Sequence, residues 1–290
     1  MDFSYALIFQ TFNGVVWGLI FALIALGLSL TFGLMNLMNV AHASFYMLGA
    51  VLTAQFVTRL GLGFWSGAAL ATISVGGLGM VVNRLVLARV VDSPPVIGLL
   101  ATAGLLLVIE SSTLATFGAV PVSVDPPVDA TFSIFGVDYP GYRLVVAGLA
   151  VAILIVTFLL LRFTRFGLWM RAAPQQRELA LISGVSSGRI NTATVIIGSL
   201  LAGVAGALVA PIAGAHFQMG SSVLAVAFTV IVVGGAGNLW GAVVIAILLG
   251  VVRGVAAAFM TPSEAEILSL VLLLPVLLLR PDGILAKARS

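Results

Sequence analysis

Apolar residues run along the chain in long blocks, at about 6–32, 40–58, 64–83, 94–118, 142–161, 191–214, 222–237, 240–260 and 265–280. Each approaches the ~20 residues that a helix rising about 1.5 Å per residue needs to cross a hydrocarbon core about 30 Å thick. None shows the alternation of the roughly ten-residue strands of an outer-membrane barrel. Backbone polar groups in lipid must be satisfied within their own segment, which a helix does and an open strand does not. The pattern predicts an all-α integral membrane protein: one polytopic helical bundle over 1–290, with about 8–10 transmembrane segments, some broken or re-entrant.

Two places interrupt the blocks at membrane depth. The first runs Asn36-Leu37-Met38-Asn39-Val40-Ala41-His42, and the second is the glycine-rich stretch Gly234-Gly235-Ala236-Gly237-Asn238-Leu239-Trp240-Gly241-Ala242. Irregular backbone at that depth is tolerated only inside protein or against a water-filled cavity, and paired breaks in two halves point to a transport site. Each also reads as an ordinary tight turn between helices, and the sequence likeness between the halves is weak. Small residues recur every four positions at Gly198, Ala202, Gly206, Ala210 and Gly214, and again at Ala242, Ala246, Gly250, Gly254 and Ala258. Each row places small side chains on one helix face, where another backbone can approach closely.

Composition agrees with the pattern: 61% of the 290 residues are hydrophobic and 8% charged, against about 25% charged in a soluble chain. No cysteine is present, which excludes disulfides, thiol nucleophiles and thiolate metal sites. The formal charge of +3 is too small and scattered to point to nucleic acid. Asp2 is the sole early charge and the first apolar run is too long for a signal h-region, so the first block is expected to stay as a membrane helix. The connector at 162–190 carries Arg162, Arg165, Arg171, Arg177 and Arg189 against Glu178; Arg84 and Arg89 lie at 84–92, and the tail adds Arg280, Lys287 and Arg289. The positive-inside rule makes these segments cytoplasmic. Acids mark the other side, with Asp125, Asp129 and Asp138 in 119–141 and Glu264 and Glu266 in 261–266. Nine crossings with the N-terminus outside satisfy every sign.

Within the arginine-rich connector, Pro174 suits a first helical position and Gly184 the residue just past a helix end. Leu179 and Ile182 share an apolar face and Arg177 lies off it. Such a helix either lies on lipid headgroups or docks against a partner.

The chain resembles the Liv-type permease subunits of branched-chain amino-acid ABC importers over nearly its whole length. The resemblance is carried by Phe12-Asn13-Gly14, Ala22-Leu23-Ile24-Ala25-Leu26-Gly27, Phe32-Gly33, Asn39-Val40-Ala41-His42 and Tyr46-Met47-Leu48-Gly49. It continues through Arg165-Phe166-Gly167, Arg171-Ala172, Gly184-Val185, Gly203-Val204-Ala205-Gly206, Gly234-Gly235-Ala236-Gly237 with Gly241-Ala242, and Arg280-Pro281-Asp282-Gly283-Ile284-Leu285. It implies a type II-like permease in a bacterial inner membrane, moving branched-chain or related amino acids inward. The implied partners are a second related permease subunit, two cytoplasmic ATPase subunits and a periplasmic substrate-binding protein. The cytoplasmic loop at about 163–190 would then be the coupling loop, with Arg171, Ala172, Pro174, Arg177, Glu178, Leu179, Ile182 and Gly184 engaging an ATPase. No GxxxxGK[ST] loop is present and Lys287 is the only lysine, so ATP and magnesium are expected on the partner subunits, with no cofactor and no metal on this chain.

Candidate path residues follow from the breaks and from one intramembrane acid: Asn36, Asn39, His42, Glu110, Gly235, Gly237 and Asn238. Glu110 lies deep in the fourth block, where an ionised group costs on the order of 2.5–3.5 kcal/mol. It faces either a cavity or a partner, Arg253 being one candidate, and Arg253 itself is near enough to a helix end to snorkel. His42 also reads as a hydrogen-bonded structural residue. Family members usually carry Gly-Glu after this histidine, where the present chain has Ala43-Ser44. Losing that acid leaves the substrate open among branched-chain amino acids, urea, short amides and aromatic acids. A secondary transporter without an ATPase is the other reading, and it would be expected to carry more intramembrane acids. No spaced acid, base and nucleophile support an enzyme.

Overall fold

The computed structural model describes residues 3–134, 136–172, 186–272 and 275. Among the described residues ten helices form, and all but α6 follow the apolar blocks: α1 Phe3–Met35, α2 His42–Thr58, α3 Phe64–Val82, α4 Pro95–Phe117, α5 Gly141–Phe163, α6 Arg165–Ala172, α7 Ser187–Ala213, α8 Met219–Gly234, α9 Leu239–Ala256 and α10 Pro262–Val271. α3 runs on through a π turn at Asn83–Leu87 to Val90. Six of these helices are long and apolar enough to cross a membrane. α2, with 17 residues, and α8, with 16, fall at or below the shortest spanning length.

One element departs from the all-helical pattern. Between α4 and α5 the chain forms an antiparallel hairpin, β1 Thr131–Ile134 with β2 Val137–Pro140. Gly136 turns it with a φ of 80°. Tyr139 of β2 is 1% exposed and donates its hydroxyl to Asn13 Oδ1 of α1 at 2.9 Å, which ties the hairpin down. A bridge between Val122 and Ala215 joins the same connector to the α7–α8 turn.

α1 is the central column. Of its best apolar window 83% is buried inside the protein, against 22% for α4 and 28% for α5, whose outer faces remain for lipid or another chain. Glycine is what lets the column close. A Cβ on Gly18 would lie 2.9 Å from Ile247 Cα of α9, and one on Gly27 would lie 2.8 Å from the Gly198 carbonyl of α7. Gly206 meets the Tyr46 carbonyl, Gly250 meets Gly18 and Gly254 meets the Gln10 carbonyl just as closely. The glycines of the two rows that lie within helices, Gly198, Gly206, Gly250 and Gly254, therefore serve backbone-to-backbone packing, while Gly214 and Ala258 fall just past the ends of α7 and α9.

Phe64 at the start of α3 packs edge to face on Tyr142 at the start of α5, with ring centroids 5.8 Å apart. The two helices run the same way from the hairpin end. Arg84 and Arg89 beyond α3 thus share the opposite end with Arg162 and α6.

Candidate functional site

The first break opens where Asn36 takes a φ of 49°, a left-handed conformation that asparagine tolerates better than most residues. The chain then turns back along α1. Leu37 lies over Gly98 of α4, where a Cβ would strike it. Thr102, one turn further on, accepts from the Val40 N–H at 3.2 Å and stands 3.1 Å from the Met38 carbonyl. The hydroxyl's single proton is shared with the Gly98 carbonyl of its own helix at 2.9 Å, so the loop group it serves is the Val40 N–H, which lipid would leave unpaired.

α2 begins inside the bundle rather than at its edge. His42 is 1% exposed and lies between two glycines, Nε2 falling 3.0 Å from a Cβ placed on Gly27 and Cε1 3.4 Å from one on Gly198. Gly27 is roughly 12 Å back from the end of α1 and Gly198 roughly 16 Å into α7, at the helical rise per residue. The imidazole hydrogen-bonds the Ile24 carbonyl, while Nε2 has no protein partner. The Asn39 amide and the Ser44 hydroxyl are likewise buried and unpartnered.

α8 also starts at this depth. A Cβ on Gly220 would come within 3.0 Å of the Ala43 carbonyl, so the first turns of α2 and α8 abut. The N–H of Ser221 donates to the Glu110 carboxylate at 3.1 Å. Glu110 is roughly 22 Å into α4. A negative charge at a helix N-terminus contributes about 0.3–1 kcal/mol, and the unpaired N–H groups there solvate the acid. This is what makes an acid tolerable in the fourth block. The alternative pairing with Arg253 is corrected: Arg253 bonds Glu266 at 2.9 Å and lies 5.9 Å over the Phe21 ring.

At the second break Gly235 and Gly237 take φ values of 94° and 80°. Asn238 then caps α9, accepting from the Gly241 N–H at 3.1 Å. Gly234 and Gly241 press backbone to backbone, and a Cβ on Gly237 would lie 3.1 Å from Gly33 Cα. The second break thus touches the last turn of α1, some two hundred residues back in the chain and just ahead of the first break.

The candidate residues divide by burial. Asn36 is exposed, and Glu110, Gly237 and Asn238 are half-buried, whereas Asn39, His42 and Gly235 are buried. Beside Glu110, Ser221 and Ser222 are exposed. Thr102, Gly220 and Ser221 belong to the arrangement and have no signature in sequence, because what marks them is a contact across 62 residues or more. Of the coupling candidates, Arg171 and Ala172 end α6. Pro174, Arg177, Glu178, Leu179, Ile182 and Gly184 lie outside the described residues. Among the described residues no three His, Asp or Glu side chains converge as a metal site would need.

Comparison with known proteins gives the same direction. The model of a family described as the permease component of branched-chain amino acid transport systems matches residues 10–279. The LivH permease protein of the high-affinity branched-chain amino acid transport system of Salmonella typhimurium is 27% identical, over 96% of this chain and 95% of its own length. The BraD permease protein of Pseudomonas aeruginosa is 26% identical over 96% and 95%. LivM of Escherichia coli, another permease protein of such a system, is 27% identical over 93% of this chain and 69% of its own. No solved structure matches the chain. With the family model spanning all but the two ends, this multi-pass membrane protein belongs to the family of branched-chain amino acid transport permeases.

Proposed function

We propose that this chain is one permease subunit of an ABC importer that passes branched-chain amino acids from a periplasmic binding protein into the cytoplasm. The observation that carries the reading is the abutting of two helix N-termini inside the bundle, Ala43 of α2 against Gly220 of α8, beside the first break. Helices interrupted at that depth are how transporters present polar groups to a substrate without exposing backbone to lipid. Asn36, Asn39, Glu110, Gly237 and Asn238, with Ser221, would line this chain's share of the path. His42 and Gly235 would support it from the interior. Charge orients the protein, with the hairpin and N-terminus outside and the arginine-bearing end and C-terminus inside.

The relatives LivH and LivM are both permease proteins of one kind of system, which supports pairing with a second, related permease. α4, the least buried span, offers the larger surface for it. Without a P-loop the chain needs two ATPase subunits, with ATP and magnesium bound there, and the 171–184 segment would dock them.

Proteoliposomes holding both permeases and both ATPases, with the binding protein outside, should take up leucine only when ATP is supplied inside. Changing Arg171 and Glu178 should lower both uptake and co-purification of the ATPases. Ion-gradient-driven uptake by this chain alone would overturn the reading in favour of a secondary transporter.

A further inference from the structure

Resting on that reading, we infer that the permease has its own outer binding site for a zwitterionic α-amino acid with an apolar side chain, between the 126–131 connector and the facing ends of α5 and α7. A cleft of about 210 Å³ lies there. That is smaller than the roughly 300–1,000 Å³ of drug-sized sites and fits only a small ligand.

Its chemistry is bipolar. Asp129 and Arg143 both line it, and no ion pair joins them. Among the described residues Asp129 makes no ion pair or hydrogen bond. Arg143 has no carboxylate partner; its guanidinium is held in place by a hydrogen bond to Asn13 Oδ1 and by the Tyr139 hydroxyl beside it. Five N–H donors on a guanidinium leave several for a ligand carboxylate, and the Asp129 carboxylate is an acceptor for an ammonium group. Two opposite charges that line one cavity without meeting are the complement of a molecule that carries both.

The remaining wall is apolar and rigid. Pro126, Pro140 and Pro211 contribute fixed backbone, and Val128 and Ile212 contribute aliphatic surface. Tyr142 turns its ring to the cavity lining and spends its hydroxyl on the Leu208 carbonyl at 2.8 Å, so it offers no competing polar group. Pro211 supplies no N–H inside α7, which places a loosened turn of helix at the cavity floor. The wall suits a branched aliphatic side chain better than a second polar group. Such a site would give substrate released at the outer surface a first resting place on the permease itself.

The test is equilibrium binding of isotopically labelled L-leucine to the two-permease assembly in nanodiscs, with no binding protein and no ATPase. Saturable binding is expected, with 3-methylbutylamine and 4-methylpentanoate, which each keep one charge, at least tenfold weaker as competitors. Asp129→Asn, a change at an exposed residue with no contact to lose, should weaken leucine at least tenfold and leave thermal stability unchanged. Saturable binding that survives Asp129→Asn, or no saturable binding at all, overturns the proposal. Displacement by phosphoethanolamine but not by leucine also overturns it and assigns the cavity to a lipid headgroup. ATP-driven leucine uptake by the complete complex is measured alongside. Uptake without permease binding rejects the outer site and keeps the importer; absence of uptake rejects the importer reading itself.

Discussion

The second break meets the last turn of α1 at Gly33, just ahead of the first, yet the two breaks are held by opposite means. The second is a backbone joint: Gly234 against Gly241, two left-handed glycines, and Asn238 closing the first turn of α9. The first is a side-chain joint. Thr102 reaches from α4 to satisfy the loop, while Asn39, His42 and Ser44 sit buried with polar atoms that no protein group satisfies. A glycine joint gives close packing and no chemistry. Buried unpaired polar atoms cost stability, and their persistence beside α8 and Glu110 is what a substrate path would require.

The contrast sets an order of effects. The largest is expected at the glycine joint. Gly241→Val would drive a side chain into the Gly234 backbone, which has no flexible end to move aside. The cost should exceed the about 1–3 kcal/mol typical of overpacking, seen as loss of a single size-exclusion peak in detergent. Thr102→Val comes next, because it leaves the Val40 N–H unpaired in the interior, for about 1–3 kcal/mol in thermal unfolding. Asn39→Ala should do the reverse of a structural lesion. The fold should hold within about 0.5 kcal/mol, since the amide has no partner to lose, while ATP-driven uptake by the assembled complex falls at least tenfold. A large loss of stability with normal turnover would make Asn39 structural and erase the contrast.

Smaller effects lie away from both breaks. Arg253→Ala removes a partly exposed ion pair with Glu266 and should cost about 0.2–1 kcal/mol. The smallest effect is at Glu264, whose carboxyl sits below the usual carboxylate range because it accepts from the Thr261 backbone and hydroxyl in a capping box. A folded-state value below the unfolded one stabilises the helix above the ordinary carboxylate range, and this contribution is lost as pH falls through the folded value. Protection from hydrogen exchange in the first turn of α10, relative to the intrinsic rate at each pH, should fall over that acidic window, and Glu264→Gln should flatten the dependence.

The helices were legible in sequence because lipid permits so few solutions: every block except the 265–280 one, described only to its middle, ends within a few residues of its helix. The small-residue rows were legible for the same reason, since close packing in a membrane needs glycine or alanine at a fixed period. The hairpin was not. Phe132 and Tyr139 alternate too briefly to be told from loop, and what stabilises the pair is Asn13, far back in the chain. Both breaks could be read as breaks, but the approach of the second to the end of α1 could not, because glycine announces freedom and not the neighbour that needs it. Glu110 was legible as an anomaly, an acid among leucines. Its resolution by the α8 N-terminus lies 111 positions away and involves a backbone N–H, which has no letter in the sequence.

The central claim is that the junction of the breaks opens to water during transport, although Asn39 is 1% exposed in this structure. The chain has no cysteine, so Asn39→Cys introduces a single thiol on it, and labelling is read on this chain after its separation from the other subunits. Its reaction rate with a charged, membrane-impermeant thiol reagent can be followed in the assembled complex with and without trapped nucleotide, beside Leu107→Cys on the exposed face of α4. The account predicts that the thiol at 39 reacts in one nucleotide state, is protected in the other, and is slowed further by substrate. A thiol at 39 that stays unreactive in every state would contradict it.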